Sequence, residues 1–223
     1  MKLNKTLLFF TLFISIFNTS YAQLIDKAFV KNIPDIILPA LTEMNRFELV
    51  EYFKAGQVAN VKNEFQKDVV MLDYDSVNYF ISIKTAENSR FEMKLFPIKD
   101  KIDSTSYIIG VINTVCAPIC SSYINFYDHK WNKLAVDFKV PTAIDWLKNK
   151  QEETYGVKIA DVFKTSFIEL SFDKKQSTIV LKNNSADLLS VEDKLLIKPF
   201  LVNEDKLYQI SFDVEKVKIK QFN

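Results

Sequence analysis

Glycine, histidine and arginine are scarce in this sequence. The 223-residue chain holds three glycines, one histidine and two arginines. A P-loop and a dinucleotide-binding turn each need several glycines at fixed spacing, and Gly56, Gly110 and Gly156 lie too far apart to supply them. The Gly-x-Ser-x-Gly nucleophile elbow is absent for the same reason. These absences exclude the common nucleotide-binding motifs and the α/β-hydrolase motif.

The lone histidine limits both metal binding and acid–base catalysis. Zinc sites built on two or three imidazoles are excluded, and a serine or cysteine triad would have to use His129. His129 stands in the turn pattern Asp-His-Lys-Trp, which is typical of an exposed residue. The sequence therefore predicts no catalytic residue, no metal and no cofactor. Carboxylate-only chemistry such as glycoside hydrolysis stays open, because it needs no local motif.

Positive charge is neither abundant nor clustered. Lysine and arginine together number 29 against 28 acidic residues, a formal net charge of +1. Proteins that bind nucleic acid concentrate basic residues on one face. We therefore expect no nucleic-acid partner, and two arginines are too few for a multi-arginine phosphate clamp.

The N-terminus has the order of a secretory signal peptide. Two lysines precede an apolar run at residues 7–17, and Ser20 and Ala22 are small residues at the positions that a signal peptidase requires. The run has about eleven residues, whereas a membrane-spanning helix needs about twenty. We expect cleavage between Ala22 and Gln23 rather than retention as an anchor. The mature protein is then expected in the periplasm or outside the cell, without a membrane-spanning segment.

The two cysteines are Cys116 and Cys120, within the stretch TVCAPICSS. In an oxidising compartment such a close pair is expected to be bridged, and Pro118 suits the second position of a turn at 117–120. A redox-active pair usually begins a helix, whereas strand-like sequences flank this one on both sides. We interpret the pair as a structural disulfide. A redox or copper-binding role is the alternative.

The pattern of residues 25–55 predicts a helix, a turn marked by prolines, and a second helix. In the second helix Thr42 is the expected N-cap, Lys54 lies in the last turn and Gly56 follows the end. The apolar residues of this helix point nearly all round it. Such a helix is either buried on several sides within its own fold or shared with a partner. We favour burial within the fold.

From residue 69 the hydrophobic period changes to two. Residues 69–98 predict three strands with turns at 73–76 and 86–89, and 106–115 predict a fourth. A unit that alternates large apolar residues and ends in aspartate then occurs at 123–128, 168–173 and 208–213. Each unit precedes another strand pattern, which predicts three hairpins whose turns are formed by Asp128, Asp173 and Asp213.

Helical patterns at 141–151, 160–163 and 190–201 lie between these hairpins. The fold class is therefore α+β, with a mainly antiparallel β-sheet built of hairpins, N-terminal helices, and helices inserted between the later hairpins. No linker rich in proline, glycine or serine divides residues 23–223. We expect a single domain, with a sub-domain seam at 150–157 as the one candidate boundary.

Three segments resemble a secreted family of unknown function from Bacteroidetes, the domain of unknown function 3256. The first is AFVKNIPDIILPALTEMNRFELVEYF, with Phe29, the Pro34-Asp35 pair, Pro39, Leu41 and the Asn45-Arg46 pair. The others are INTVCAPICSSYINFYDHKW and SVEDKLLIKPFL. The resemblance covers most of the chain after the signal peptide, and it implies no activity, cofactor or substrate.

Two serines lie in a pattern that resembles a Bacteroidetes O-glycosylation acceptor. These are Ser76, in Asp-Ser-Val, and Ser104, in Asp-Ser-Thr. Both fall in predicted turns, where an enzyme could reach the hydroxyl group. Chance matches to so permissive a tripeptide are the alternative.

Our leading hypothesis for function is a non-catalytic protein of the cell envelope. It would bind another protein or a glycan through its sheet or its first helices. The alternatives are a carboxylate-based hydrolase and a redox or copper-handling protein that uses Cys116 and Cys120. Exposed aromatic residues around a shallow groove would favour binding, whereas two carboxylates facing each other about 5–10 Å apart in a deep cleft would favour hydrolysis.

Overall fold

The computed structural model describes residues 24–98, 107–151, 153–154, 157–163, 165–213 and 216–221. The predicted signal peptide, its cleavage residues Ala22 and Gln23, and Ser104 lie outside these ranges. The described chain forms three layers: an N-terminal helical layer, a six-stranded sheet, and a five-stranded sheet. The predicted class, α+β with mainly antiparallel sheets, is confirmed.

The helical layer consists of α1 (Lys27–Lys31), a loop at 32–42, and α2 (Glu43–Lys54). Helix α1 is π-helical. Helix α2 begins with a capping box, in which the Thr42 hydroxyl accepts from the Asn45 backbone N–H at 3.2 Å and the Asn45 side chain accepts from the Thr42 N–H at 3.3 Å. Gly56 follows the end of α2 with φ of 68°. These start and stop signals are confirmed.

Sheet A is an antiparallel meander in which strand order follows chain order. Its strands are β1 (Asn60–Lys62), β2 (Asp68–Asp75), β3 (Phe80–Ala86), β4 (Ser89–Pro97), β5 (Tyr107–Cys116) and β6 (Cys120–Tyr127). The predicted strands are confirmed, but the turn expected at 73–76 lies at 76–79. It lies there because the Asp75 carboxylate accepts from the backbone N–H groups of Val77 and Asn78, at 3.0 and 2.9 Å, so the turn starts at Asp75.

Sheet B has the strand order β10-β11-β12-β13-β7. Its strands are β7 (Val136–Asp137), β10 (Ile168–Phe172), β11 (Thr178–Asn183), β12 (Lys206–Asp213) and β13 (Lys216–Gln221). A separate short hairpin, β8 (Glu153–Thr154) with β9 (Val157–Lys158), occupies the proposed seam at 150–157. Part of that seam lies outside the described residues, and a boundary there stays a prediction.

Two of the three predicted hairpins are confirmed, β10–β11 and β12–β13. The first is wrong. After the Asp128 turn the chain makes only a bridge between Tyr127 and Lys133, and β7 then crosses to sheet B and pairs in parallel with β13. The crossing buries apolar surface, because Val136 and Phe138 pack against the core between the sheets.

The turn-forming role of aspartate is confirmed at two of the predicted positions. The Asp128 carboxylate accepts from the N–H groups of Lys130 and Asn132, both at 2.8 Å. The Asp173 carboxylate accepts from the N–H groups at 175 and 176, at 2.8 and 2.9 Å. The side chain of Asp213 lies outside the described part.

The helix expected at 141–151 is reduced to one 3₁₀ turn, Ala143–Trp146. Leu147 forms a β-bridge with Leu201, and the Lys148 N–H donates to the Phe200 carbonyl at 2.9 Å. These non-local hydrogen bonds hold the chain extended where its local pattern favours a helix.

The shorter helical predictions are confirmed. Residues 160–163 overlap a 3₁₀ turn at Ile159–Val162. Helix α3 (Val191–Ile197) starts after its predicted cap, with the Ser190 hydroxyl accepting from the Asp193 N–H at 3.0 Å. A further 3₁₀ turn follows at Lys198–Phe200. Among the described residues, no helix combines the length and apolar character needed to cross a membrane.

Sheet A is buried on both faces. Along β4, Phe91, Met93 and Leu95 contribute to the core against the helical layer, whereas Phe96 lies in the core shared with sheet B. Because successive side chains of a strand point to opposite faces of the sheet, residues of β4 contribute to two cores. A third, smaller cluster forms around Leu147, Ile159 and Ile197.

The two sheets approach closely at Gly110 on β5. A Cβ at this position would lie 2.7 Å from the Phe172 ring and 2.9 Å from the Phe96 ring. The Phe96 ring in turn contacts those of Phe126, Phe172 and Phe212, with centroids 6.3, 5.7 and 5.1 Å apart. Glycine is required here because no side chain fits between the sheets.

Polar side chains of sheet A accept hydrogen bonds from the backbone of the edge strand of sheet B. β10 is an edge strand, and its Phe172 and Leu170 N–H groups donate to the Glu92 carboxylate and the Ser122 hydroxyl, each at 3.0 Å. Arg90 forms ion pairs with Glu92 at 3.0 Å and with Glu169 at 2.9 Å. Burial raises the pKa of Glu92, and the Phe172 N–H and Arg90 oppose that shift.

Lys94 is the second buried charge at this interface. Its ammonium donates to the backbone carbonyls of Asp173, Lys174 (2.7 Å) and Gln176 (2.8 Å) in the β10–β11 turn. Burial lowers the pKa of Lys94 to about 8, with Asp173 and Asp75 acting in the opposite direction. Lys94 thus connects the β10–β11 turn of sheet B to sheet A through hydrogen bonds.

We expect Lys94→Met to lower the free energy of unfolding by about 3 kcal/mol, because buried carbonyls that lose their donor keep their desolvation cost. Urea unfolding monitored by circular dichroism measures this. Lys84→Met is the matched control, because Lys84 is an exposed lysine on the neighbouring strand β3. Equal stability of the two variants would contradict the proposed role of Lys94.

Candidate interaction surface

The structure places the two cysteines opposite each other across the β5–β6 turn. Their sulfur atoms lie 2.03 Å apart and their Cα atoms 3.8 Å apart, and neither cysteine is free. Residues 117–119 connect the strands, with a cis peptide bond before Pro118. The pair therefore links two residues that face each other across one hairpin, and its sulfur atoms lie at the distance of a disulfide bond.

The geometry places no histidine near this pair. His129 follows the far end of β6, and eight strand residues at roughly 3.3 Å each put it about 25 Å from the start of that strand. His129 is exposed, and its ring packs edge-on against Tyr107 at 6.3 Å. In the part of the chain that the structure describes, no group of three or more potential metal-binding side chains occurs.

We expect the double change Cys116→Ala with Cys120→Ala to cost no more than about 2–3 kcal/mol, because so short a closed loop removes little entropy from the unfolded chain. Chemical denaturation of both proteins measures the difference. Secondary structure and binding should be retained. A larger loss would contradict the short-loop estimate, whereas tight one-to-one copper(I) binding by the reduced protein would support the alternative role.

Arg90 brings two acids together, Glu92 and Glu169. Their remaining contacts are also occupied: Glu92 accepts from the Phe172 N–H at 3.0 Å and Glu169 accepts from the Asn184 amide at 3.1 Å. A hydrolytic pair needs room for a sugar and a water molecule between its carboxyl groups. This pair instead holds two sheets together.

The helical layer carries several of the large exposed apolar side chains. Met44 is 62% exposed and Phe47 is 49% exposed on α2, and Ile36 in the preceding loop is 87% exposed. Leu49 and Val50, on the same helix, are buried. Burial of α2 on several sides within its own fold is therefore wrong: one face is buried, and an apolar face is open.

An open groove lies between α1 and α2, with a volume of about 330 Å³. Its apolar members are Val30, Phe47 and Val50. Its charged members are two acids and two lysines, so the rim is electrically balanced: Asp26, Lys27, Lys31 and Glu51. We call this feature the α1–α2 groove.

Hydrogen bonds hold the walls of the α1–α2 groove in place. Asp26 accepts from the Lys54 ammonium at 2.5 Å and from the Tyr74 hydroxyl at 2.7 Å. Lys54 also lies 5.4 Å from the centre of the Tyr74 ring. Burial, and then the Asp26 carboxylate, raise the pKa of Tyr74, so its hydroxyl stays a donor. Asp26 thereby connects the start of α1 to the end of α2 and to β2.

A second cavity, of about 720 Å³, lies beside the groove, and Lys31 lines both. Its lining includes much of the motif that carries the family resemblance: Ile33, Pro34, Asp35, Pro39, Leu41 and Arg46. Much of the sequence motif therefore forms one wall of this cavity.

Arg46 explains why that wall holds its shape. Its side chain is 3% exposed, and its guanidinium donates to the Val30 carbonyl at 3.1 Å and to the Leu41 carbonyl. The Asp35 carboxylate lies 4.0 Å from the Arg46 guanidinium and is exposed. Burial lowers the pKa of Arg46, and Asp35 and Glu43 oppose that shift. Sequence reasoning identified Arg46 as a motif residue but missed this role, because both partners are backbone carbonyls.

The remaining predicted site residues lie elsewhere. Ser76 is half-buried in the turn between β2 and β3, next to Asp75, whose carboxylate is committed to that turn. Ser104, Ala22 and Gln23 lie outside the described residues. Glycosylation and signal cleavage therefore stay predictions.

The described part of the chain has a three-layer architecture of helices, sheet A and sheet B, with an apolar groove in the helical layer. A family model described as a protein of unknown function (DUF3256) matches residues 17–212, and the chain belongs to that family. The fold is similar to that of a domain of an uncharacterized protein from Porphyromonas gingivalis W83, with a TM-score of 0.71 and 22% identity. That similarity covers 88% of this chain and 98% of the other. No curated protein matches the sequence.

We expect Arg46→Met to lower the free energy of unfolding by about 3 kcal/mol, because it leaves buried carbonyls without a donor. Arg46→Lys should recover only part of this loss, because an ammonium cannot reproduce the planar fork. Urea unfolding measures the loss, and limited proteolysis within 32–41 reports whether the loop is released. Lys27→Met, at an exposed lysine of the same layer, should change neither.

Proposed function

We propose that this protein is an exported, non-catalytic binding protein and that its helical layer binds another protein. The observation that carries the proposal is the exposed pair Met44 and Phe47 beside the α1–α2 groove. Large apolar side chains gathered on one solvent-facing helix are typical of an interaction site.

The chemistry of the surface suits a protein partner. Methionine and aromatic residues are enriched at the centre of protein interfaces, and a flexible methionine adapts to the shape of its partner. A groove of about 330 Å³ is large enough for one or two apolar side chains. The balanced charges around it would form a polar rim that keeps water from the contact.

The layer is also held in shape before binding. Asp26 and Arg46 fix α1, the loop and α2 relative to one another. A rigid surface loses little conformational entropy on association, which favours affinity. Export is supported by the N-terminal pattern and by a cysteine pair at bonding distance, since structural disulfides persist in oxidising compartments.

Site-specific crosslinking in the native host tests the proposal. A photoreactive phenylalanine analogue at Phe47 should give one defined protein adduct, because this side chain lies at the groove. The same analogue at Leu195, which is 67% exposed on α3, should not. The matched positions separate a specific surface from general apolar exposure.

Affinity measurements with the identified partner complete the test. Phe47→Ser should weaken binding at least about tenfold, as expected for a central apolar contact. Leu195→Ser should leave the affinity unchanged, and both variants should unfold at similar urea concentrations. Equal adducts from both positions, or unchanged affinity of Phe47→Ser, would refute the helical layer as the binding surface.

A further inference from the structure

We propose that sheet B carries a second, separate binding site, for an acidic saccharide. The site is a groove of about 620 Å³ between the segment 139–145 and the ends of β12 and β13. It lies on the opposite layer from the α1–α2 groove, so it neither requires nor excludes the protein-binding function.

The groove combines an apolar surface with a basic and polar rim. Its apolar members are Val140, Pro141, Ile144 and Tyr208. Its basic members are Lys139, Lys150 and Lys206, and the remaining lining residues are Thr142, Asp145 and Gln221. One acid against three lysines makes this groove positively charged, in a chain whose formal net charge is only +1.

The single acid is already committed. Asp145 accepts from the Thr142 backbone N–H at 2.7 Å and from the Thr142 hydroxyl at 3.0 Å, which caps the 3₁₀ turn at Ala143–Trp146. It also forms an ion pair with Lys150 at 2.5 Å. Lys139 and Lys206 therefore provide the net positive charge toward a ligand.

Tyr208 is oriented by its neighbours. The Phe138 ring packs edge-on against the Tyr208 ring with centroids 5.4 Å apart. The Tyr208 hydroxyl donates to the Gln221 side-chain oxygen at 3.3 Å. Burial, and then Asp145, raise the pKa of Tyr208, so this hydroxyl stays protonated.

A saccharide matches this combination of groups. The C–H face of a pyranose ring stacks on an aromatic or proline surface, and its hydroxyl groups bond to amide and hydroxyl side chains. A carboxylate or sulfate on the sugar would be attracted to the lysine ammonium groups. The apolar surface formed by Val140, Pro141 and Tyr208 favours an acidic saccharide over a small inorganic anion, which would contact the lysines alone.

Trp146 supplies a spectroscopic signal for binding. Its ring lies 5.2 Å from the Lys206 ammonium, so a ligand that draws Lys206 away changes the surroundings of the indole. The other tryptophan, Trp131, belongs to the core under the helical layer. A change in tryptophan fluorescence during titration that disappears in Trp146→Phe would report binding at this groove alone.

The experiment titrates the protein, without its signal peptide, with four probes. Galacturonate oligosaccharides carry carboxylates, chondroitin sulfate oligosaccharides carry sulfates, cello-oligosaccharides are neutral, and inorganic sulfate is a bare anion. We expect one acidic oligosaccharide to bind at micromolar to millimolar concentration, more weakly at high salt. The first two probes distinguish a carboxylated from a sulfated ligand.

Variants locate the binding. Measured by isothermal titration calorimetry, which does not depend on the Lys206–Trp146 contact, Lys206→Gln and Lys139→Gln should each weaken the affinity for the acidic oligosaccharide about fivefold to tenfold. Tyr208→Leu should weaken it similarly by removing the aromatic face. Lys182→Gln is the matched control, because Lys182 is an exposed lysine on β11 outside the groove. Circular dichroism confirms that each variant is folded.

Several results would overturn the inference. They are no binding of either acidic oligosaccharide, equal binding of neutral oligosaccharides, inorganic sulfate that binds as tightly as the oligosaccharides, or equal weakening by Lys182→Gln. Loss of affinity in the groove variants alone would support it. Crosslinking at Phe47 is unaffected by any of these outcomes, so the two proposals fail or stand separately.

Discussion

The edge of β10 is where the two halves of this structure meet. A strand edge exposes N–H and C=O groups that cost free energy if they are buried without partners. Here Glu92 and Ser122 of sheet A accept from two of those N–H groups, and Lys94 donates to three carbonyls of the turn that follows. These hydrogen bonds and the apolar core between the sheets together fix the position of sheet B on sheet A, and the surfaces at the ends of sheet B depend on that position.

Burial of sheet A on both faces leaves the helical layer and sheet B as the outer layers. The helical layer presents Met44 and Phe47, and the rim of sheet B presents lysines around Tyr208. The first surface is apolar with balanced charge, whereas the second is basic and polar. The helical layer and the rim of sheet B are therefore chemically different surfaces on opposite layers.

Local interactions made much of the fold predictable from sequence. The Thr42 and Ser190 caps and the aspartate turns form between residues a few positions apart, and the hairpins β10–β11 and β12–β13 pair consecutive strands. The fold class follows from their order. The sequence also indicated, through its motif, that Arg46 belongs to a special segment, although not what the residue does.

The sequence by itself determined the caps, the turns and the period of each strand, because side-chain spacing sets these locally. The tertiary structure decided the rest through contacts between distant residues. It moved β7 into sheet B, where it pairs with β13, and replaced a helix after Ala143–Trp146 with a bridge from Leu147 to Leu201. It also left one apolar face of α2 open, because α1 and sheet A cover only the other. A period in sequence shows which residues are apolar, and only the assembled layers decide which of them are covered.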